Sequence, residues 1–171
     1  MKALAALAVG LAALAGTSAA PQAASGTLVC TAFPRPATAV AHVELFVDGR
    51  VVLLPPGIGV EDAERDGAVV TSGRCAYPVR TLDPTGVLFL DRTDLTLGTV
   101  FALWGRRLAP DGLLGRDGRV EAFVGGRRYA GDVRDIPLRD RAQIVVEVGR
   151  HVRPHARYTF PRRIETCVGW C

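Results

Sequence analysis

Three histidines are the residues of this 171-residue chain best suited to bind a metal or to move protons near neutral pH. His151 and His155 have the i, i+4 spacing of a helical metal pair, but Pro154 between them is incompatible with a regular helix. In an extended chain the two imidazoles would stand roughly 13 Å apart, which is too far to share one ion. His42 is therefore the candidate around which a site would form.

Two aspartates and an arginine accompany His42 as candidates for chemistry. Asp83 and Asp91 could lie near each other across adjacent strands, and paired carboxylates are groups that general acid–base catalysis uses. Aspartates beside a turn more often hydrogen-bond their own backbone in contact with solvent. Convergence of Arg80 and backbone donors at the same place would favour an anionic ligand. We therefore define a candidate pocket of His42, Arg80, Asp83 and Asp91.

The sequence lacks the motifs of the common enzyme classes. After residue 19 its only serines are Ser25 and Ser72, and Thr71-Ser72-Gly73 is not the Gly-x-Ser-x-Gly elbow of serine hydrolases. No phosphate-binding glycine loop, His-Glu-x-x-His zinc motif or dinucleotide-binding glycine pattern is present. We therefore predict no catalytic residue, no bound metal and no cofactor.

The cysteines, Cys30, Cys75, Cys167 and Cys171, indicate disulfide bonds. They lack the second ligand pair of a zinc site and the two-residue spacing of a redox motif. Four cysteines allow three pairings, and the sequence alone does not choose among them. A bond from Cys30 to Cys75 would close a loop of about 45 residues, worth a few kcal/mol by chain entropy, and Cys167 and Cys171 would then close a small ring.

The N-terminus has the features of a secretory signal peptide. Lys2 precedes an apolar run from Ala3 to Ala15, small residues follow, and cleavage is predicted after Ala19. The apolar run is shorter than a membrane-spanning helix requires, so no transmembrane segment is predicted. The protein is expected to be secreted or held in the cell envelope, where disulfides persist. We divide the chain into a signal peptide (1–19), an extended N-terminal segment (20–36), a single globular domain (37–161) and a C-terminal tail (162–171).

Arginine dominates the charge of the chain. The formal net charge is +4, Lys2 is the only lysine, and arginines outnumber acids from Arg106 onward. Such an excess could attract an anionic component of the envelope. The arginines alternate with acids, as in Arg139-Asp140-Arg141, which is typical of a solvated surface. Nucleic acid is not a predicted partner, because only 6% of residues are aromatic and they are not interleaved with the arginines.

Hairpins and extended runs must position these residues. Asp48-Gly49 between two apolar runs predicts a hairpin, and the following Pro55 ends its second strand. Further extended runs are predicted at 76–82, 86–90, 120–124, 127–129 and 142–148. Residues 61–73 and 109–118 are predicted to be loops, because they are rich in glycine and acids.

One principal helix is predicted at about 95–105. Its apolar positions fall at i, i+3, i+4 and i+7, with Thr96 as the N-cap and Gly105 as the C-cap. We assign Trp104, on the apolar face, to the core rather than to a sugar-binding platform. The order of elements predicts an α+β fold, mostly antiparallel β with one helix, in a β-grasp-like arrangement that the N-terminal hairpin extends or flanks.

Residues 37–161 resemble an uncharacterised family of secreted bacterial proteins. The resemblance lies in five segments: His42–Gly49, Pro55–Gly59, Leu95–Gly105, Tyr129–Leu138 and Tyr158–Pro161. Members of that family carry a His-x-His-x-His run before the first hairpin, a Trp-Leu-His-Thr-His stretch after a cysteine, and a histidine on the following strand. Alternating histidines on neighbouring strands share a face, so they could converge on a metal.

This chain departs from the family pattern at nearly every histidine, keeping one of six. Its replacements are Thr38 and Val40 in the first run, Pro78-Val79-Arg80-Thr81-Leu82 in the second stretch, and Phe89 on the strand. The resemblance therefore implies that the metal site is lost, with the charge of Arg80 where the ion would lie. It also places Cys75 at the cysteine of the family, which favours its pairing with Cys30.

These observations predict a secreted, disulfide-stabilised binding or structural module of the bacterial envelope, with an unknown ligand, rather than an enzyme. The alternative is a metal-handling protein or a degenerate metalloenzyme-like protein with a vestigial site near His42. Stoichiometric binding of Cu(II) or Zn(II) that His42→Ala abolishes would favour the alternative.

Overall fold

The computed structural model describes residues 27–153 and 158–160. The predicted signal peptide (1–19), the C-terminal tail (162–171) with Cys167 and Cys171, and His155 lie outside the described residues. In the part of the chain that is described, no helix has the length and apolar composition to cross a membrane.

Short strands and one α-helix make up the described residues, and we number them in chain order. The strands are β1 Thr31–Ala32, β2 Ala39–Val47, β3 Arg50–Val52, β4 Val60–Glu61, β5 Glu64–Asp66, β6 Val69–Ser72, β7 Cys75–Ala76, β8 Val79–Arg80, β9 Val87–Leu90, β10 Leu108–Ala109, β11 Gly112–Leu113, β12 Arg116–Asp117, β13 Val120–Val124, β14 Arg127–Arg128 and β15 Ala142–Val148. The helix α1 spans Leu97–Trp104, and a 3-10 turn spans Val133–Asp135. The predicted α+β class, mostly β with one helix, is confirmed for these residues.

The central sheet of the described residues has seven strands. Their order is β14-β13-β15-β2-β9-β8, and β3 pairs with the second half of β2. The pairing of β15 with β2 is parallel, and the other pairs are antiparallel. The hairpin predicted around Asp48-Gly49 forms, but its predicted place beside the sheet is wrong. Its first strand, β2, lies between β15 and β9, because a strand that is buried over most of its length needs neighbouring strands on both sides to pair its backbone groups.

One face of the sheet, which we call the core face, carries the main hydrophobic core. Alternate residues of β2 (Ala39, Ala41, Val43 and Leu45) point to this face. Helix α1 packs against it through Leu97, Val100 and Phe101. The predicted caps are confirmed, since Thr96 is extended before the first turn and Gly105 ends the helix at φ 67°. Trp104 packs against the core as predicted.

The opposite face, which we call the back face, is more polar. It displays the intervening residues of β2, among them His42 and Glu44, and the residues of β15 that are their register partners. Tyr158 and Phe160 lie across part of this face, and Phe160 packs on Val40 and Val87. His42, Glu44 and Glu147 therefore lie on the back face, away from the helix.

Two predicted loops contain strands. In 61–73, β5 and β6 pair around Gly67, and buried Val70 joins a small core with Val60 and Leu82. In 109–118, β10, β11 and β12 form a three-stranded antiparallel unit that buries Leu113. The loop predictions rested on glycines and acids. These residues occupy the tight turns between the short strands, where positive φ is needed.

A disulfide ties the N-terminal segment to the domain. Cys30 and Cys75 are bonded, with their Cα atoms 5.5 Å apart, and β1 pairs with β7 beside the bond. This pairing, one of the three that the sequence allowed, is confirmed. The bond closes a loop that spans 45 positions and ties the N-terminal segment to β7.

Candidate functional site

The four residues of the candidate pocket occupy two neighbouring places. His42 lies on β2, and Asp83 lies in the loop that leads to β9. Arg80 ends β8, and Asp91 follows β9. The antiparallel pairing of β8 with β9 brings Arg80 and Asp91 together and leaves His42 on the next strand.

Arg80 and Asp91 form a buried ion pair. Their side chains are 1% and 3% exposed, and Arg80 Nη1 lies 2.8 Å from Asp91 Oδ1. Arg80 Nη2 also donates to the carbonyl of Arg35, whose guanidinium contacts the second oxygen of Asp91. These contacts fasten the segment after β1 to the sheet. The charge of Arg80 is already matched by a carboxylate, so the geometry gives this pair a structural role rather than a role in binding anions.

Asp83 organises the turn before β9. Its Oδ1 accepts a hydrogen bond from the backbone N–H of Thr85 at 2.9 Å and a second from the Thr85 hydroxyl. This is the local bond that aspartates make to turns. Gly86 follows at φ 81°, and a Cβ atom there would lie 2.4 Å from the carbonyl oxygen of Val43, so this turn requires glycine.

His42 is held on three sides. Its Nε2 lies 3.0 Å from the carbonyl oxygen of Thr85, and since a carbonyl only accepts, Nε2 donates this hydrogen bond. Tyr158 stacks on the imidazole with ring centroids 3.7 Å apart. Nδ1 lies 3.9 Å from a carboxylate oxygen of Glu44. The His42 side chain is 7% exposed and forms part of the floor of a cleft.

The cleft lies between the β2–β3 hairpin and the turn at 84–86, and it has a volume of about 420 Å³. Among the described residues it is lined by His42, Val43, Glu44, Phe46, Val51, Val52, Leu53, Leu54, Pro84, Thr85 and Gly86. Of the four candidate pocket residues, His42 alone is in this set, and Asp83 supports the wall through Thr85.

The rim of the cleft is unusually apolar for a surface in water. Val51 and Leu53 are 59% and 61% exposed, while Val52 and Leu54, which alternate with them, pack against the core. This alternation follows from the pleat of an extended chain. Arg50–Val52 pairs only with β2 among the described strands, so its apolar side chains stand at the edge of the sheet.

Two groups of metal-ligating side chains occur in the described residues. One consists of Cys30, Glu61 and Cys75, whose sulfurs are bonded to each other. The other consists of Glu121, Glu147 and His151 on the back face. His42 belongs to neither group.

Displaced pKa values occur at ion pairs on other surfaces. The carboxylate of Glu61 accepts a hydrogen bond from the Tyr77 hydroxyl at 2.7 Å and raises the pKa of that tyrosine. The Arg134 guanidinium lowers the pKa of Asp132, which also caps the 3-10 turn. These groups stabilise turns and strand ends rather than line the cleft.

The apolar rim of the cleft and the carboxylates of the back face were not predicted from the sequence. The run Val51-Val-Leu-Leu54 could have predicted the rim. In an extended chain alternate side chains point to opposite faces, so two of four consecutive apolar residues face solvent when one face is buried. The signal for the carboxylates was their isolation, since Glu121 and Glu147 are the ionisable residues of two strands that are otherwise mostly apolar.

Comparison with known proteins gives no match, whether with family models, curated proteins or solved structures.

Proposed function

We propose that the protein is a secreted, disulfide-stabilised binding module of the bacterial envelope, and that its ligand is a small apolar molecule held in the cleft beside His42. The observation that carries the proposal is the cleft itself, formed between the β2–β3 hairpin and the turn at 84–86. Its volume of about 420 Å³ falls within the range of small-molecule sites, roughly 300–1,000 Å³.

The apolar rim supports an apolar ligand. Val51 and Leu53 leave more than half of their surface in water, and Phe46 lies beside them in the same wall. Apolar surface gathered around a concavity is typical of binding sites, whereas single exposed apolar residues are ordinary. A ligand that covered this rim would gain about 25 cal/mol for each Å² of apolar surface removed from water.

The described lining of the cleft favours a neutral ligand over an anionic one. Glu44 is the acid among the described lining residues, and that set contains no arginine or lysine. A sulfonate or phosphate head group would therefore find neither arginine nor lysine among these lining residues.

An anionic envelope component, the partner that the net charge suggested, finds less support. Many described arginines of the basic half lie within ion-pair distance of a carboxylate: Arg107, Arg116, Arg119, Arg128, Arg134 and Arg141. Arginines matched in this way present a mixed surface rather than a positive one. The cleft is therefore the stronger basis for a function.

The alternative function, metal handling near His42, also finds little support. One nitrogen of His42 donates to a backbone carbonyl, and the ring face is covered by Tyr158. In the described part of the chain, His42 and two further ligand side chains do not gather within the distance that one ion requires. We infer that the imidazole fixes the cleft floor.

We further propose that the fold is β-grasp-like and that the chain belongs to the secreted family it resembles. The central β2 and β15 run parallel, the hairpin β2–β3 precedes the helix, and β13–β14 follows it. The bonded Cys30–Cys75 pair suits an oxidising compartment, which supports export. The N-terminus of the exported protein, determined by mass spectrometry, tests cleavage after Ala19.

Two fluorescent probes test the proposed ligand class. N-phenyl-1-naphthylamine is neutral and apolar, and 8-anilinonaphthalene-1-sulfonate has the same rings with an added sulfonate. Titration of the mature protein should show saturable emission from the neutral probe and weaker affinity for the sulfonate. Equal affinity for the two probes would contradict the proposed preference of the cleft for a neutral ligand.

Leu53→Ser locates the binding, and Val69→Ser is its matched control. Val69 is 48% exposed, and it lies on β6, outside the cleft. Because Leu53 would be covered by the ligand, its replacement should cost about 1 kcal/mol, or about fivefold in affinity for the neutral probe. Val69→Ser should leave that affinity unchanged. Equal effects of the two substitutions would show that binding does not occur in the cleft.

A further inference from the structure

Two glutamates face each other on the back face of the sheet. Glu121 on β13 and Glu147 on β15 are direct register partners in an antiparallel pair. Like charges placed directly opposite on neighbouring strands destabilise a sheet. This pairing therefore needs a compensating positive charge close to both carboxylates.

Burial increases that requirement. Glu147 is 2% exposed, and a carboxylate removed from water must be matched by hydrogen bonds and by opposite charge. Its Oε2 accepts the backbone N–H of Val152 at 2.9 Å, and its Oε1 contacts Nδ1 of His151. The backbone bond fixes the orientation of the carboxylate, in the way that outer groups orient the ligands of metal sites.

A third ligand completes the group. One atom each from Glu121, Glu147 and His151 lies within 4.8 Å of the other two. Two carboxylate oxygens and an imidazole nitrogen form a donor set that suits zinc and neighbouring transition metals. We propose that Glu121, Glu147 and His151 bind a divalent transition-metal ion, with Zn²⁺ as the ion tested first. The site is separate from the apolar cleft and does not rest on the function proposed for it.

The surroundings leave the site open on one side. The His151 side chain is 60% exposed, so an ion can enter from solvent and keep water at its remaining position. The centroid of the Phe123 ring lies 5.7 Å from that of the imidazole, so this ring borders the site. Three protein ligands with a water at the fourth position are the arrangement of an open zinc site rather than of a closed structural one.

Two arginines lower the affinity that we expect. Arg119 and Arg128 both approach Glu121 through the same oxygen, Oε1. Their charge opposes that of a cation, so we expect a dissociation constant in the micromolar range rather than the far tighter binding of zinc-finger sites. The same positive charge, together with His151 when it is protonated, compensates the carboxylates before an ion binds.

Calorimetric titration of the metal-free mature protein with Zn²⁺ at pH 7.5 tests the site. One Zn²⁺ per chain is expected, and Mg²⁺ at the same concentration should give at least tenfold weaker binding, because imidazole is a poor ligand for it. Glu121→Gln and His151→Gln should each weaken Zn²⁺ binding at least tenfold. Both residues are partly or largely exposed, so these variants are expected to fold, which their circular dichroism checks.

Glu61→Gln is the matched control. It removes a residue of the same type as two of the ligands, and Glu61 does not lie in the proposed group. This variant should bind Zn²⁺ as the unaltered protein does, and Glu121→Gln should bind the neutral fluorescent probe normally. Absence of binding at millimolar Zn²⁺, or binding that survives both Glu121→Gln and His151→Gln, would overturn the proposal.

Discussion

Replacement of Asp91 by asparagine is expected to destabilise the fold strongly. The Asp91 side chain is 3% exposed and contacts the guanidinium groups of Arg80 and Arg35. Arg80 is 1% exposed, so the substitution leaves a positive charge buried without its carboxylate partner. Breaking a buried pair from one side costs about 3–5 kcal/mol, against about 0–1 kcal/mol for an exposed pair. We expect the free energy of unfolding to fall by about 3–4 kcal/mol.

Urea unfolding followed by circular dichroism measures this loss. The double variant Arg80→Met with Asp91→Leu removes both charges and should recover most of the stability, because well-packed apolar residues can replace a buried pair. Asp111→Asn is the control, since it breaks an exposed pair with Arg107 and should barely move the urea midpoint. A loss below about 1 kcal/mol for Asp91→Asn, or a double variant no more stable than the single one, would refute a structural role for this pair.

Three further changes test the disulfide, the turn at Gly86 and the pair of Asp132 with Arg134. Replacing Cys30 and Cys75 by serine should lower the free energy of unfolding by about 4 kcal/mol, since the bond closes a loop spanning 45 positions, and an unchanged urea midpoint would contradict this. Gly86→Ala should lower the free energy of unfolding by at least about 1 kcal/mol and weaken binding of the neutral probe, because φ is 81° and the added Cβ would meet the carbonyl oxygen of Val43 on β2. Normal probe binding by this variant would show that the turn does not shape the cleft. Arg134 lowers the pKa of Asp132 below its ordinary value of 3.8, so Asp132 stabilises the fold fully above that value and loses its contribution as the pH falls through the lower folded pKa. The stability difference from Asp132→Asn should therefore be constant at neutral pH and vanish in strong acid, and a difference that grew in acid would contradict the assignment.

Local signals predicted the elements that local chemistry determines. Neighbouring residues specify three features that the structure confirms: the turn at Asp48-Gly49, the cap residues Thr96 and Gly105, and the strand at 142–148. Short strands were missed at 61–73 and 109–118. Units of two or three residues lack room for a hydrophobic period, so composition made them resemble loops.

The position of β2 at the centre of the sheet was not predictable in the same way. Its parallel partner β15 lies about a hundred residues further along the chain. The local sequence of a strand does not predict which strand will pair with it. The clue was the burial demand of β2, which is apolar at successive as well as alternate positions and so requires cover on both faces.

The candidate site was predictable only in part. His42 was selected by residue type, but the hydrogen bond that fixes it comes from the backbone carbonyl of Thr85, which leaves no trace in the sequence. Asp91 was selected as one of two carboxylates on neighbouring strands, and Arg80 was selected because its charge would favour an anionic ligand. The structure joins them to each other, as buried charges require. Glu121 and Glu147 come together only through strand register, which the sequence does not state.

Methyl NMR of the mature protein with N-phenyl-1-naphthylamine tests most directly whether the cleft binds apolar ligands. Residues Val51 to Leu54 line the cleft and carry methyl groups on both faces of the strand and its extension. Val69 and Val70, on β6, provide reference methyl groups in the same protein. We predict saturable shift changes and probe contacts at 51–54, with 69–70 unaffected. Shift changes spread evenly over both groups, or none at 51–54 under saturating probe, would contradict the proposed function.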